Sequence, residues 1–135
     1  DAAIMAAAVA DYRPTSRSET KLKRDQGIDT ISLVENPDIS ATLGATKGSR
    51  VLVAFAMETG QGLEQARKKL IAKNADFVVL NDLNEEGAGF AVDTNVVTLV
   101  DTDTDQKLLR MDKHDVGDRI LDEVRQRIKA QGPSS

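Results

Sequence analysis

The sequence predicts an α/β fold, a mainly parallel sheet packed by helices with an antiparallel hairpin at its edge. Three observations predict it. The runs at 2–10, 51–57 and 77–80 are apolar without interruption, as in strands covered on both faces. A segment of helical period, 61–74, separates the second run from the third, and strand, helix, strand alternation is the mark of parallel strands joined by right-handed crossovers. Two later strand-like runs are separated only by the polar residues 101–106, which reads as a hairpin.

The elements follow in order. Residues 2–10, built from Ala, Ile, Met and Val, read as a buried strand, and 12–29 lacks apolar periodicity and reads as a long loop. Loops of that length in compact domains are functional or disordered. Thr30-Ile31-Ser32-Leu33-Val34 alternates like a half-buried strand. Asn36-Pro37 then opens a short helix, with Asn as N-cap, Pro as first helical residue, and Ile39, Leu43 and Ala45 as its apolar side. In 61–74 the apolar stripe is Leu63, Ala66, Leu70 and Ile71, and Asn74 is the stop. The third apolar run ends in Asn81-Asp82, a glycine-containing loop covers 84–89, and 95–100 with 107–111 form the hairpin. A final amphipathic helix at 115–129 runs through Val116, Ile120, Leu121, Val124 and Ile128. Residues 1–130 are expected to form one domain and 131–135, made of turn and linker residues, a flexible tail.

Composition narrows the classes of function. The chain has 135 residues, 40% of them hydrophobic, enough for one domain with a core. Its 18 basic and 22 acidic side chains give a net charge of −4, which argues against a general nucleic-acid or membrane-surface binder, so any anion site has to be local. The opening apolar run is about half as long as a membrane span needs. With no cysteine, the chain forms neither a disulfide nor a thiolate metal site; it is compatible with a reducing compartment, and the expected location is the cytoplasm. The chain opens inside an apolar run without an initiator methionine, so a fragment of a longer protein is expected.

Several residues are candidates for chemistry. Asp11 follows an apolar run, at the rim where ligands bind outside the carboxyl ends of strands; it is equally a turn cap. Lys69 and Lys73, four residues apart on one helix, present two ammonium groups to one side, suited to a phosphate chain or to ordinary surface decoration beside an apolar stripe. Lys21, Lys23 and Arg24 form a basic run, either a solvated face or an anion contact. Pro37, Asp38, Ile39 and Ser40 lie at a helix start, where free N–H groups favour anions, though any helix begins this way. The small residues of Met5-Ala6-Ala7 allow a ligand to approach the backbone. His114, between Lys113 and Asp115, reads as surface, and Asp101, Asp103 and Asp105 lack the glycine and terminal glutamate of a calcium loop. No Gly-x-Gly-x-x-Gly fingerprint is present.

Taken jointly, six segments carry a family resemblance. Ala10-Asp11-Tyr12-Arg13-Pro14, Lys21-Leu22-Lys23-Arg24, Asn36-Pro37-Asp38-Ile39, Phe55-Ala56-Met57-Glu58-Thr59, Asn81-Asp82, and Gly89-Phe90 through Asp93 and Asn95 occur in this order over about ninety residues. Together they resemble the C-terminal part of bacterial phosphopantothenoylcysteine synthetase. The resemblance implies a Rossmann-like three-layer sandwich and a ligase of coenzyme A biosynthesis. That ligase joins 4′-phosphopantothenate to L-cysteine while CTP, with Mg2+, is cleaved to CMP and pyrophosphate through an acyl-cytidylate.

The resemblance also implies roles for individual residues. The backbone of Met5, Ala6 and Ala7 and the side chain of Asp11 read the cytidine. Pro37, Asp38, Ile39, Ser40 and Phe55 contribute nucleotide contacts, Lys69 and Lys73 hold phosphates, and Lys21, on a mobile loop, is the catalytic cation at the transferring phosphoryl centre. No metal ligand is assigned. Ala54 stands where the family has a glycine and Met57 where it has a small residue. The family's glycine-rich first unit, with an asparagine supporting the acyl intermediate, matches nothing here, so the isolated chain is expected to be inactive. A homodimer built partly through 21–35 is expected, and an upstream flavin-dependent decarboxylase is common in relatives, although no flavin is expected on this chain. Two other readings stay open: a fragment of an NAD(P)-dependent Rossmann-type oxidoreductase, and a non-catalytic nucleotide-binding module, whose function Lys21→Ala would leave unchanged. The choice between CTP and ATP also stays open.

Overall fold

The computed structural model describes residues 1–21, 23, 30–84 and 93–132. From the N-terminus the elements are β1 (Ala2–Met5), β2 (Tyr12–Pro14), β3 (Leu33–Glu35), α1 (Ile39–Thr46), β4 (Val51–Glu58), α2 (Gly62–Ala72), β5 (Phe77–Asp82), β6 (Thr94–Asn95), β7 (Val97–Val100), β8 (Asp105–Lys107), β9 (Met111–Asp112) and α3 (Lys113–Ala130). The chain falls into two compact units, one of residues 1–6 with 40–135 and one of residues 7–39.

The larger unit is built on a five-stranded sheet of order β1-β4-β5-β7-β8. β1, β4 and β5 run parallel, and β7 and β8 complete the sheet as an antiparallel hairpin. Three layers result because the central strands bury both faces. Val51, Val53, Phe77 and Val79 meet Val116, Ile120 and Val124 of α3, whereas Ala54, Ala56, Val78 and Leu80 meet Ala66 and Leu70 of α2. The α/β class is thus as the sequence implies. Among the described residues no helix is long and apolar enough to cross a membrane.

Polar side chains fix the ends of these elements. The Asp76 carboxylate accepts from the Leu52 amide at 2.7 Å and from the Lys47 ammonium at 2.6 Å, tying the start of β4 to the approach to β5. Asn74, with a left-handed φ of 48°, ends α2 and donates through Nδ2 to the Gly44 carbonyl of α1 at 2.9 Å. Asp112 caps α3 by accepting the Asp115 amide at 2.8 Å, and Arg127 and Lys129 lie in its last turn, where cations suit the helix dipole.

In the smaller unit, β2 and β3 form a two-stranded antiparallel ribbon with Tyr12 opposite Glu35 and Pro14 opposite Leu33. The ribbon is exposed on every residue, with Tyr12 and Leu33 each more than half accessible.

Several boundaries differ from the sequence reading. The strand expected over 2–10 stops at Met5, its last residue paired with β4, and 6–10 are exposed. Alanines there bury too little apolar area to hold the segment in a sheet. The loop expected from residue 12 begins instead with β2. The half-buried strand expected over 30–34 is three residues later at its start and exposed, since a two-stranded ribbon has no second layer of its own to cover it. The helix expected at Pro37 starts at Ile39, because the Asn36 side chain bonds elsewhere. Its buried residue is Gly44 rather than the Ile39, Leu43 and Ala45 side. In α2 the buried stripe is Gly62, Ala66 and Leu70, leaving Leu63 and Ile71 accessible, and in α3 Leu121 is accessible. Met111 leaves the hairpin and pairs with Asn95 in a separate two-stranded sheet. Most of the 84–89 loop, Gly89-Phe90, Arg24 and the end of the tail lie outside the described residues.

Candidate functional site

α2 begins after a tight turn in which Gly60 (φ 101°) and Gln61 (φ 36°) adopt left-handed conformations. This turn brings Gly62 under Leu80, where an added Cβ would stand 3.3 Å from the leucine methyls. The buried stripe Gly62, Ala66, Leu70 has a period of four, so residues just off it flank the helix on either side. Lys69 occupies one flank. Its half-buried ammonium donates to the Phe55 carbonyl of β4 at 2.9 Å, which leaves two further N–H donors for a ligand. Lys73, one turn on, is the C-cap of α2 and half-buried.

In the same unit, Met5 ends β1 in register with Ala54, the residue before Phe55, and Ala6 follows it exposed. Met5, Phe55 and Lys69 are therefore linked through β4. Phe55 packs its ring against the cluster under α3. Pairing of Phe55 with Val79 and of Met57 with Asn81 puts Phe55 and Asn81 on the same sheet face, by the two-residue period of strands. The Asn81 Oδ1 is buried and accepts no hydrogen bond. An orphaned acceptor of this kind costs roughly 1–3 kcal/mol, which a ligand N–H would relieve. Asn81→Leu, which removes the orphan and keeps the branched shape and heavy-atom count, should leave the urea midpoint unchanged or raise it. A clear loss of stability would contradict this account.

The smaller unit groups its candidates around Asn36. The Asn36 amide donates to the Asp11 carbonyl at 2.7 Å and its Nδ2 to the Ala10 carbonyl at 2.7 Å, while its Oδ1 accepts from Arg13 at 2.9 Å. Asp11 and the following Pro37, Asp38 and Ile39 are thereby held near one side chain, with Asp11, Pro37 and Asp38 exposed and Ile39 about half accessible. Ala7 is exposed, and so is Lys21. Ser40 lies half-buried in the first turn of α1.

Sequence reasoning missed three residues. Asn36 was expected as a helix cap and is a tether between loop and ribbon. Asn81 belonged to a quoted motif without a role, since nothing in the sequence signals an unsatisfied oxygen. Arg67 gave no signal beyond its place next to the stripe. His114 is at the surface as expected, yet with Asp115 and Asp118 it forms the one group of three metal-type ligands among the described residues. All three are exposed in the first two turns of α3, near the positive end of the helix dipole, which disfavours a cation.

The model of the DNA/pantothenate metabolism flavoprotein C-terminal domain matches residues 1–128. The coenzyme A biosynthesis bifunctional protein CoaBC of Bacillus subtilis (strain 168) is 42% identical over 136 residues, covering 100% of this chain and 34% of the relative. The protein of the same name from Escherichia coli (strain K12) is 41% identical over 122 residues, 87% of this chain and 30% of its own. The chain thus spans about a third of the length of these curated relatives. Among solved structures, the C-terminal domain of a CoaBC superposes with a TM-score of 0.74 at 33% identity, covering 96% of this chain and 56% of that one. A Cab2 mutant in complex with phosphopantothenate-cysteine shares the fold, with a TM-score of 0.67 at 21% identity over 93% of this chain and 43% of that one. With the family model matched across nearly its whole length, the chain belongs to the DNA/pantothenate metabolism flavoprotein C-terminal domain family.

Proposed function

We propose that this chain is the nucleotide-binding part of a coenzyme A biosynthetic ligase that joins 4′-phosphopantothenate to L-cysteine, with CTP cleaved to CMP and pyrophosphate. The observation that carries the reading from the structure is the Lys69 ammonium anchored on the Phe55 carbonyl, with two N–H donors left over and Lys73 one turn away. A cation held in place before the ligand arrives loses little freedom on binding a triphosphate, so its attraction is retained as affinity. The similarity to proteins named for coenzyme A biosynthesis supports that pathway.

In this reading the phosphopantothenate carboxylate attacks the α-phosphate, pyrophosphate leaves, and the cysteine amine displaces CMP from the acyl-cytidylate. Lys69 and Lys73 neutralise the triphosphate, and Lys21 offsets charge developing at the transferring phosphorus. Met5, Ala6, Ala7 and Asp11 read the cytidine. Mg2+ would neutralise part of the triphosphate charge, and no side chain of this chain is assigned to it. The chain works as a homodimer joined to a decarboxylase in the full-length protein.

Calorimetry with CTP, ATP and NADPH in the presence of magnesium tests the reading. CTP should bind preferentially, and Lys69→Ala/Lys73→Ala should weaken it by roughly tenfold or more, the loss expected for two charge-assisted contacts. Binding of NADPH alone, or CTP affinity indifferent to the double substitution, would overturn it. The isolated chain should show no appreciable ligase turnover in a pyrophosphate-release assay.

A further inference from the structure

We infer that Arg67 is a positioning residue for Lys69: by gripping the β7–β8 turn, it sets the roll of α2 that seats the Lys69 ammonium on the Phe55 carbonyl. Its consequence for ligand binding rests on the triphosphate role proposed above for Lys69.

Helix geometry makes the argument. At about 100° per residue, Arg67 and Lys69 stand on opposite flanks of the stripe Gly62, Ala66, Leu70, about 160° apart across Ala66. That stripe consists of a glycine, an alanine and one leucine, so it presents few atoms that interlock with the sheet and resist rotation about the helix axis. The roll is then fixed by what the two flanks hold. On one side Lys69 meets the β4 backbone at 2.9 Å. On the other, Arg67 Nη2 donates to both carboxylate oxygens of Asp105, at 2.8 and 2.7 Å, and its Nη1 to the Asp101 carbonyl at 3.3 Å. The planar guanidinium fork defines an orientation where a lysine would define only a distance.

The turn it grips is itself rigid. The Asp101 carboxylate accepts from the amides of Asp103 and Thr104, and from the opposite face of the sheet Arg127 of α3 donates to its second oxygen at 2.7 Å. Two arginines from two layers therefore hold one turn, and Arg67 alone belongs to the helix that carries Lys69.

The experiment follows the 13C′ resonance of Phe55 in the labelled chain, which reports the hydrogen bond to Lys69 without any ligand, together with CTP affinity. Arg67→Ala and Asp105→Asn should move that resonance toward its position in Lys69→Met and lower CTP affinity by roughly two- to fivefold, the range set by a partly exposed ion pair. Arg67→Lys should give intermediate values for both. Arg127→Met, which leaves the Arg67 grip itself intact, should move the resonance much less than Arg67→Ala despite its loss of stability. A Phe55 resonance unmoved by Arg67→Ala, or moved equally by Arg127→Met, overturns the inference. If the resonance responds as described while the parent chain binds no triphosphate, the positioning role stands and the nucleotide reading falls.

Discussion

Gly44→Ala should destabilise the protein by about 2–3 kcal/mol, the upper part of the range for forcing an extra carbon into a packed contact. Helix propensity predicts the opposite sign, because alanine is favoured over glycine inside a helix by about 1 kcal/mol. Contact decides against propensity here. A Cβ on Gly44 would stand 1.8 Å from the Lys73 carbonyl oxygen and 2.8 Å from its carbon, both backbone atoms that cannot rotate aside. The end of α2 would have to retreat, stretching the Asn74 hydrogen bond to the Gly44 carbonyl and displacing Lys73. On the triphosphate role proposed for Lys73, CTP affinity should fall along with the urea midpoint. Gly117→Ala is the matched control: nothing lies within 4 Å of its Cβ position, so the same change on α3 should stabilise by about 0.5–1 kcal/mol. A Gly44→Ala protein as stable as the parent, or more so, would rule out the close approach.

Arg127→Met should cost about 2 kcal/mol, less than for a fully buried pair because the side chain keeps 26% of its exposure. Arg127 joins four parts of the larger unit. It donates to Glu123 at 2.7 Å within α3, to Asp101 at 2.7 Å in the β7–β8 turn and to the Asp76 carbonyl at 3.0 Å before β5, and it covers the Phe77 ring at 5.0 Å. Methionine keeps the contact with the ring and removes every donor, leaving two carboxylates facing a thioether.

The same network makes a pH prediction. Burial alone would raise the Asp101 pKa, but the hydrogen bond from Arg127, with those from Thr104 and Asp103, outweighs it and lowers the pKa from 3.8 to about 2. Burial likewise disfavours the Arg127 charge, and its bonds to Asp101 and Glu123 raise its pKa nonetheless. A folded pKa below the unfolded one means that the unfolded chain binds the proton more readily. The contribution of Asp101 is therefore complete above 3.8 and lost as pH falls toward 2. Discounted for partial exposure, it amounts to about 1–2 kcal/mol. In urea titrations, Asp101→Asn should show a shallower loss of stability across this window than the parent, and parallel profiles would remove Asp101 from the acid response.

Strands β4 and β5 were legible because their apolar character is local: a strand covered on both faces needs apolar side chains at every position, and 51–57 and 77–80 have them. α3 was legible for a similar reason, with Val116, Ile120 and Val124 at helical spacing and all buried. Where the expectation failed, the local pattern was ambiguous. Leu63 and Ile71 suit an apolar stripe as well as Gly62 does, yet the helix presses its smallest residues to the sheet because the turn at Gly60 and Gln61 brings Gly62 against Leu80. The alternation at 30–34 said only that a strand could form there, whereas burial depends on what lies over it.

Of the candidate site, the sequence by itself determined the α/β class, the central strands and the two long helices, and it placed Lys69 and Lys73 one turn apart on one of them. Only the tertiary structure decided that Lys69 meets the Phe55 carbonyl, that Asn81 keeps an unmatched buried oxygen, that Gly44 touches the Lys73 backbone, and that Arg67 and Arg127 share one turn. The physical reason is range. Side-chain periodicity is a property of a few neighbouring residues, while these hydrogen bonds join residues 14 to 34 positions apart and depend on strand order and register, which no local run of residues encodes.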